Sequence, residues 1–259
     1  MEFGICLNPL VPLRAAPEEK SEMTDQMLFG EEFQIQKVHE KWIYIKRLPD
    51  AYEGWINSRH FLQCSENRIQ QMHHSDRFIL QHPFNRLTVD NNPLILPAGS
   101  ILPFFGRENK TFEMGNHKYF LHENLVENEK DKRERIAGTA RQFINAPYLW
   151  GGKTVFGMDC SGFTQILYRI AGIDIPRDGH QQVNLGNTVG SAEEARTGDL
   201  AFFVNEEGRI THTGIMLGGG RIIHASGKVR IDTIDRHGIY NRELKRYTHK
   251  LKVVKRMIG

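Results

Sequence analysis

Short runs of β-branched and aromatic residues, broken by Gly, Pro or charged turns, fill the first half of the chain. Helical periodicity begins only near Asp131. Residues 33–38 and 42–46 alternate in part between apolar and polar positions and are bounded by Gly30, His39-Glu40-Lys41 and Pro49-Asp50, so both are predicted as strands. Gly54-Trp55-Ile56 resumes the extended pattern, and residues 1–63 are expected to form a small β-barrel. The polar residues 64–75 are expected to be a linker. Leu94-Ile95-Leu96 and Ile101-Leu102 flank a turn, and residues 118–122 give another strand. Residues 76–126 are therefore expected to be a second β unit of the same kind.

From Asp131 the period changes. Ile136, Ala140, Phe143 and Ile144 recur at i, i+4, i+7 and i+8, which predicts an amphipathic helix ending before Pro147. Phe163, Ile166, Leu167 and Ile170 repeat at helical spacing, so a second helix is expected from Cys160 to about Ala171, stopped by Gly172. Residues 200–204, 213–217 and 221–225 are apolar runs of strand length, and Gly218-Gly219-Gly220 between the last two is a hairpin signal. Val253-Val254 is expected to close the sheet. A helix followed by an antiparallel sheet makes residues 127–259 an α+β domain, and the chain as a whole multidomain.

Composition narrows the function classes. The 259 residues suffice for two or three compact units, and 25% charged with 39% hydrophobic residues is ordinary for a globular protein. The net charge is +3 and no basic stripe carries interleaved aromatics, so nucleic acid is not an expected partner. The run from Lys130 to Arg135 also holds Asp131 and Glu134 and reads as a solvated helix face. Three cysteines, an odd count without paired spacing, argue against a disulfide framework and for a reducing compartment. No run approaches the roughly 18 apolar residues of a membrane span, and no leader-like segment opens the chain. The expected location is cytoplasmic, with a periplasmic or secreted protein as the alternative if a leader has been removed.

Cofactor motifs are not found. There is no His-Glu-x-x-His, no paired Cys-x-x-Cys and no EF-hand loop, so neither metal nor cofactor is expected. Gly151-Gly152-Lys153-Thr154 is similar to the end of a phosphate-binding loop, but Pro147 stands where that loop needs Gly. His73-His74 reads as linker polarity, and the histidines outside the strand pair described next receive no role.

The candidate chemistry lies at Cys160. Asp159 occupies an N-cap position and Cys160 opens the helix, where unpaired N–H groups and the helix dipole favour a thiolate. The same N–H groups could stabilise an oxyanion. A negative charge on Asp159 opposes the thiolate unless the side chain caps the helix. His212 and His224 stand twelve residues apart, and a hairpin turning at Gly218–Gly220 brings them side by side. An imidazole oriented by a polar partner is the arrangement that activates a nucleophile.

Tyr148-Leu149-Trp150-Gly151-Gly152, Asp159-Cys160-Ser161-Gly162-Phe163, Thr197-Gly198-Asp199-Leu200, His212-Thr213-Gly214-Ile215 and His224-Ala225-Ser226, in this order, resemble the NlpC/P60 cysteine peptidases of bacterial cell-wall peptides. The resemblance implies a papain-like catalytic domain with Cys160 as nucleophile, His212 as base and His224 as the polar third member. It also implies that Tyr148, Asp159 and Ser161 line the site near a D-glutamyl residue. Val11-Pro12-Leu13-Arg14, Leu28-Phe29-Gly30-Glu31 and Tyr52-Glu53-Gly54-Trp55-Ile56 resemble a bacterial SH3 domain, and residues 76–126 resemble a second one more loosely.

This pairing resembles the γ-D-glutamyl-L-diamino acid endopeptidases, also called dipeptidyl-peptidase VI. There the SH3 module closes one end of the cleft and an acid meets the substrate's free amine. Glu53 is the candidate for that acid. Gly179 departs from the branch, which often has Ser after Pro-Arg-x, and Asp178 or His180 could take over its contact. The expected substrate is a murein peptide with a free N-terminal L-Ala, cut after γ-D-Glu in wall-peptide recycling. The alternatives are a secreted peptidoglycan hydrolase with wall-binding SH3 domains, or an acyltransferase on the same fold.

Overall fold

The computed structural model describes residues 2–125 and 131–259. The chain divides into two compact units, Met1–Glu127 and Asn128–Gly259.

In the first unit β1 (Glu2–Cys6), β2 (Leu10–Arg14), β3 (Met23–Leu28), β4 (Glu32–His39), β5 (Trp42–Arg47), β6 (Glu53–Asn57) and β7 (Phe61–Cys64) form an antiparallel sheet, ordered β3-β2-β6-β5-β4-β1-β7. Ile43 and Ile45, alternating along β5, pack with Val11, Leu13, Phe33 and Ile56, so the period seen in the sequence is a core face. The same face of β5 ends at Arg47, fully buried and paired with Asp25 (2.7 Å), Glu31 (3.4 Å) and Asp50 (2.5 Å).

Residues 64–75 are not a linker. After β7 comes α1 (Glu66–His74), capped by Ser65, whose hydroxyl accepts from the Arg68 N–H. Only Ile69 and Met72 are buried; two apolar residues three apart dock one helix face yet leave the composition polar. His73 is likewise more than surface polarity, because it hydrogen-bonds the buried Glu32 carboxylate.

Further along lie β8 (Phe78–Ile79), β9 (Phe84–Val89), β10 (Asn92–Pro97), β11 (Ile101–Leu102), β12 (Thr111–Met114) and β13 (His117–Leu121). They make a four-stranded sheet, β10-β9-β13-β12, and a two-stranded ribbon, β11-β8. Phe3, Ile5 and Phe29 share one core with Leu87, Phe112, Tyr119 and the α1 residues, so this segment packs on the first strands. Gly30 marks the seam: with φ +80° and the Ile101 carbonyl 1.9 Å from where a Cβ would stand, no other residue fits.

The second unit contains α2 (Lys132–Arg141), β14 (Lys153–Thr154), β15 (Gly157–Met158), α3 (Cys160–Ile170), α4 (Gly179–Gln182), β16 (Asn187–Val189), β17 (Leu200–Val204), β18 (Ile210–Gly218), β19 (Arg221–Ser226), β20 (Lys228–Asp235), β21 (Gly238–Asn241) and β22 (Arg246–Arg256). The sheet runs β16-β22-β17-β18-β19-β20-β21, and β22 also pairs with β21, which closes β17 to β22 into a six-stranded barrel. Its interior is filled by Ala201, Phe203, Met216, Ile222, Ile234, Ile239 and Val254. Helix α3 packs against β18 and β19 and is buried from Ser161 to Ile170 on every side. Among the described residues no helix is long and apolar enough to cross a membrane.

Two expectations for this unit need correction. Helix α2 stops at Arg141 in a turn, and Ile144, 41% exposed, is not on the core face. Asn145 takes a positive φ of 72° there, and its N–H bonds the Val229 carbonyl, which turns the chain toward β20. The basic run is also not wholly solvated: Arg133 donates to the Thr197 carbonyl (2.9 Å) and to the buried Asp199 carboxylate (3.1 Å). Lys130 lies outside the described residues.

Candidate active site

Helix α3 begins at the nucleophile candidate because Asp159 stops the preceding extended chain and caps the helix. Its backbone is extended (φ −91°, ψ 176°) and its Oδ1 accepts from the Gly162 N–H at 2.7 Å. Cys160 follows, half-buried and free of disulfide bonding. Backbone N–H groups of Ser161 and of Thr213, the residue after His212 on β18, hydrogen-bond the sulfur. The thiol therefore sits where helix start and barrel strand meet.

The barrel carries the candidate base. Met216, Gly214 and His212 alternate on one face of β18, and Ile222 and His224 share the facing side of β19; Met216 and Ile222 are register partners in the barrel core. His212 Nε2 and His224 Nδ1 are 2.8 Å apart, and His224 Nε2 lies 3.1 Å from Asp232 Oδ2 on β20. Burial works against the Asp232 charge, but hydrogen bonds from His224 and Arg230 outweigh it and hold the carboxyl below its usual range. Arg230 grips both oxygens, at 2.7 and 3.0 Å.

That carboxylate assigns the tautomers along the line. His224 donates from Nε2 to Asp232, so its Nδ1 accepts from His212 Nε2–H. His212 is left with an unprotonated Nδ1, free to act as a base.

Resting protonation differs from the sequence expectation. Burial, and then the Asp159 charge, push the Cys160 thiol up to about 11, against the opposing pull of the Thr213 and Ser161 N–H groups and Arg177. Burial also drives His212 well below its ordinary value, helped by His224 and His249. Desolvation at both groups thus works against a resting thiolate and a resting imidazolium.

Around the sulfur, Arg177 donates to Asp159 through Nη1–Oδ1 (3.1 Å) and Nη2–Oδ2 (2.5 Å), and to the Ser161 hydroxyl at 2.8 Å. The Gly151 N–H adds a bond to Asp159 Oδ2 at 2.9 Å. Asp159 thus ties together the helix start, the Gly151 loop and Arg177. Tyr148 is held by its N–H on the Gly227 carbonyl. Burial, then the nearby Cys160 and Asp159 charges, push its phenol up to about 12, so it stays a hydrogen-bond donor. Gly179 opens α4, and His180 beside it is exposed. Among the described residues no group of three His, Cys, Asp or Glu side chains is placed to hold a metal ion.

Comparison with known proteins fits this geometry. Residues 145–248 match the NlpC/P60 family, and residues 13–61 match the bacterial dipeptidyl-peptidase Sh3 domain. The chain is 30% identical over 238 residues to a gamma-D-glutamyl-L-lysine dipeptidyl-peptidase of Bacillus subtilis, covering 85% of this chain and 78% of that one. This chain belongs to the NlpC/P60 family of cysteine peptidases. A dipeptidyl-peptidase 6 of Lysinibacillus sphaericus is 28% identical, over 93% of this chain and 95% of its own. A crystal structure of an NlpC/P60 family protein from Bacillus cereus superposes with a TM-score of 0.81 at 19% identity, covering 99% of this chain and 100% of that one; it shows the shared fold.

Within this NlpC/P60 unit, Tyr148, Asp159 and Ser161 lie around Cys160 at the start of α3, and His212 and His224 pair on the strands next to Thr213, whose N–H reaches the sulfur. Glu53 belongs to the first unit, exposed at the start of β6, where it accepts from Tyr44 (3.2 Å) and faces Lys46 (3.6 Å). Sequence reasoning missed Asp232, Arg177 and His249. An Asp on the strand after the second histidine is a weak signal; Arg177, in Ile175-Pro176-Arg177, was open to recognition as a buried cation awaiting an acid.

Proposed function

We propose that this peptidase cuts the bond between γ-D-Glu and a diamino acid in murein peptides that begin with a free L-Ala. The observation that carries the reading is the hydrogen-bonded line His212–His224–Asp232, on a strand whose Thr213 N–H, next to His212, bonds a thiol at a helix start. Cys160 Sγ attacks the γ-carbonyl carbon and its proton passes to His212 Nδ1. His212 then protonates the departing amine of the diamino acid, leaving a thioester. Water, deprotonated by the same nitrogen, releases the dipeptide and restores the thiol. N–H groups at the start of α3 would stabilise the developing oxyanion.

The names of the Bacillus subtilis and Lysinibacillus sphaericus relatives support the substrate class. Tyr148, Ser161 and Asp159, with Arg177 behind them, form the polar wall that would take the D-glutamyl end. Glu53 is our candidate for the acid that meets the L-Ala ammonium, a carboxylate being its natural partner. An enzyme that requires a free amine acts on fragments and not on intact wall, so we assign it to recycling of wall peptides in the cytoplasm.

The test is incubation with L-Ala-γ-D-Glu-diaminopimelate beside its N-acetylated copy, with intact sacculi as a third substrate. Release of L-Ala-γ-D-Glu from the free peptide alone is the expected result. Equal cleavage of both peptides removes the role given to Glu53, and faster clearance of sacculi favours a secreted wall hydrolase. Retained turnover in Cys160→Ala overturns the mechanism.

A further inference from the structure

Nothing in the sequence singles out His249, yet the barrel brings it to the paired histidines. Strand β22 places it opposite Ile239, a residue of the barrel core, and so on the face shared with His212 and His224. Its ring centroid lies 4.2 Å from that of His212 with 30° between the planes, close to face-to-face packing. The ring of His224 meets His212 differently, edge-on at 82° and through a hydrogen bond. His212 is thus held in its plane by one neighbour and covered on a face by the other. Phe203 completes the packing, 5.7 Å from His212 and 5.9 Å from His249.

The orientation of His249 is itself fixed. Its Nδ1 is 2.9 Å from the Thr248 hydroxyl. It also lines an open depression shared with Glu206, Arg236, His237 and Lys250. One imidazole therefore stands between solvent and the His212–His224 bond, where water would compete for both ring nitrogens.

We propose that His249 is a positioning residue of the peptidase site: stacked on His212, it holds that imidazole in the plane of its bond to His224 and screens the bond from water. The proposal rests on the reading that His212 takes the Cys160 proton.

Charge bears on this role. His212, His224 and Asp232 face His249 from β18, β19 and β20, and the depression adds Glu206, Arg236, His237 and Lys250. Burial, then His224, hold His249 down to about 4 against the opposing pull of Asp232, so at neutral pH it presents an uncharged ring. An uncharged face accepts the imidazolium that His212 becomes during attack; a cation there would repel it.

The experiment compares wild type with His249→Ala and His249→Phe by two readouts on the full chain. One is kcat and KM on the free tripeptide; the other is the rate of Cys160 alkylation by iodoacetamide, followed by peptide mass spectrometry. Alkylation needs no assumption about the natural substrate: an S–C bond forms, iodide leaves and the thiol proton goes to His212 Nδ1. His249→Ala is expected to lower kcat and the alkylation rate by about 10- to 100-fold with KM within about twofold, since a small misplacement of a base costs that much. His249→Phe, which keeps a flat ring, should recover most of both rates.

Alkylation in His249→Ala within about twofold of wild type overturns the proposal. So does a loss that Phe fails to restore while both variants melt like wild type. If wild type does not cleave the tripeptide, the substrate reading falls, and alkylation alone decides the role of His249.

Discussion

Arg177 and Asp159 form a two-armed ion pair beside the start of α3, at 3.1 and 2.5 Å, with side chains only 2% and 7% exposed. Such a pair adds little net stability over apolar residues of the same size, but breaking it leaves a buried charge without a partner. Arg177→Met is expected to cost about 3–5 kcal/mol. Thermal unfolding followed by circular dichroism should show it as a drop in Tm of about 10 °C. A change of only 1–2 °C would mean that Asp159 is better solvated than its burial implies.

Asp232 sets the tautomers of both histidines. In Asp232→Asn the second partner of His224 becomes an amide that can donate as well as accept, so the line no longer has one direction. We expect kcat to fall by about 10²-fold with KM nearly unchanged, in the range of a lost acid–base contribution. Steady-state kinetics on the tripeptide will check this; a change confined to KM would place Asp232 outside the catalytic line.

Burial pushes the Cys160 thiol up to about 11 and His212 well below its ordinary value, which favours the uncharged form of both at neutral pH. The far-ultraviolet thiolate absorbance, taken as the difference between wild type and Cys160→Ala, should be absent at neutral pH. It should rise only as the pH climbs toward about 11. Thiolate absorbance already complete at about pH 6 would mean a preformed ion pair.

Asp199 offers a stability test with a definite sign. Burial raises its pKa, but Arg256, the Arg196 N–H and Arg133 together bring it below the ordinary value. A folded pKa below the unfolded one contributes stability that is present above the unfolded pKa and lost as pH falls through the folded value. Asp199→Asn should therefore lower stability at neutral pH, and its difference from wild type should shrink as the pH drops below about 4. Urea unfolding at several pH values reads this directly; a gap that widens in acid contradicts the assignment.

What could be read from the chain followed the range of the interactions. Cys160, His212 and His224 sit in short motifs whose meaning is local: a cap, a helix start, two strands around Gly218–Gly220. Strand β5 was legible because Ile43 and Ile45 alternate over a core. Asp232 was not, since it joins the site through the β19–β20 register, which pairs it with Ile222, and no spacing rule marks it. His249 reaches His212 only because β22 closes the barrel. Helix α1 was mistaken for a linker because Ile69 and Met72 alone carry its packing.

That closing strand has a consequence for the order of events at the ribosome. Strand β22 pairs with β17 on one side and β21 on the other, so until it emerges the sheet has two open edges. Cys160, His212 and His224 will by then have been synthesised, while the ring that packs on His212 and the last seam around it will not. The nascent chain carries its thiol for some ninety residues of synthesis before the barrel can shut, so proteolytic competence arrives late and all at once.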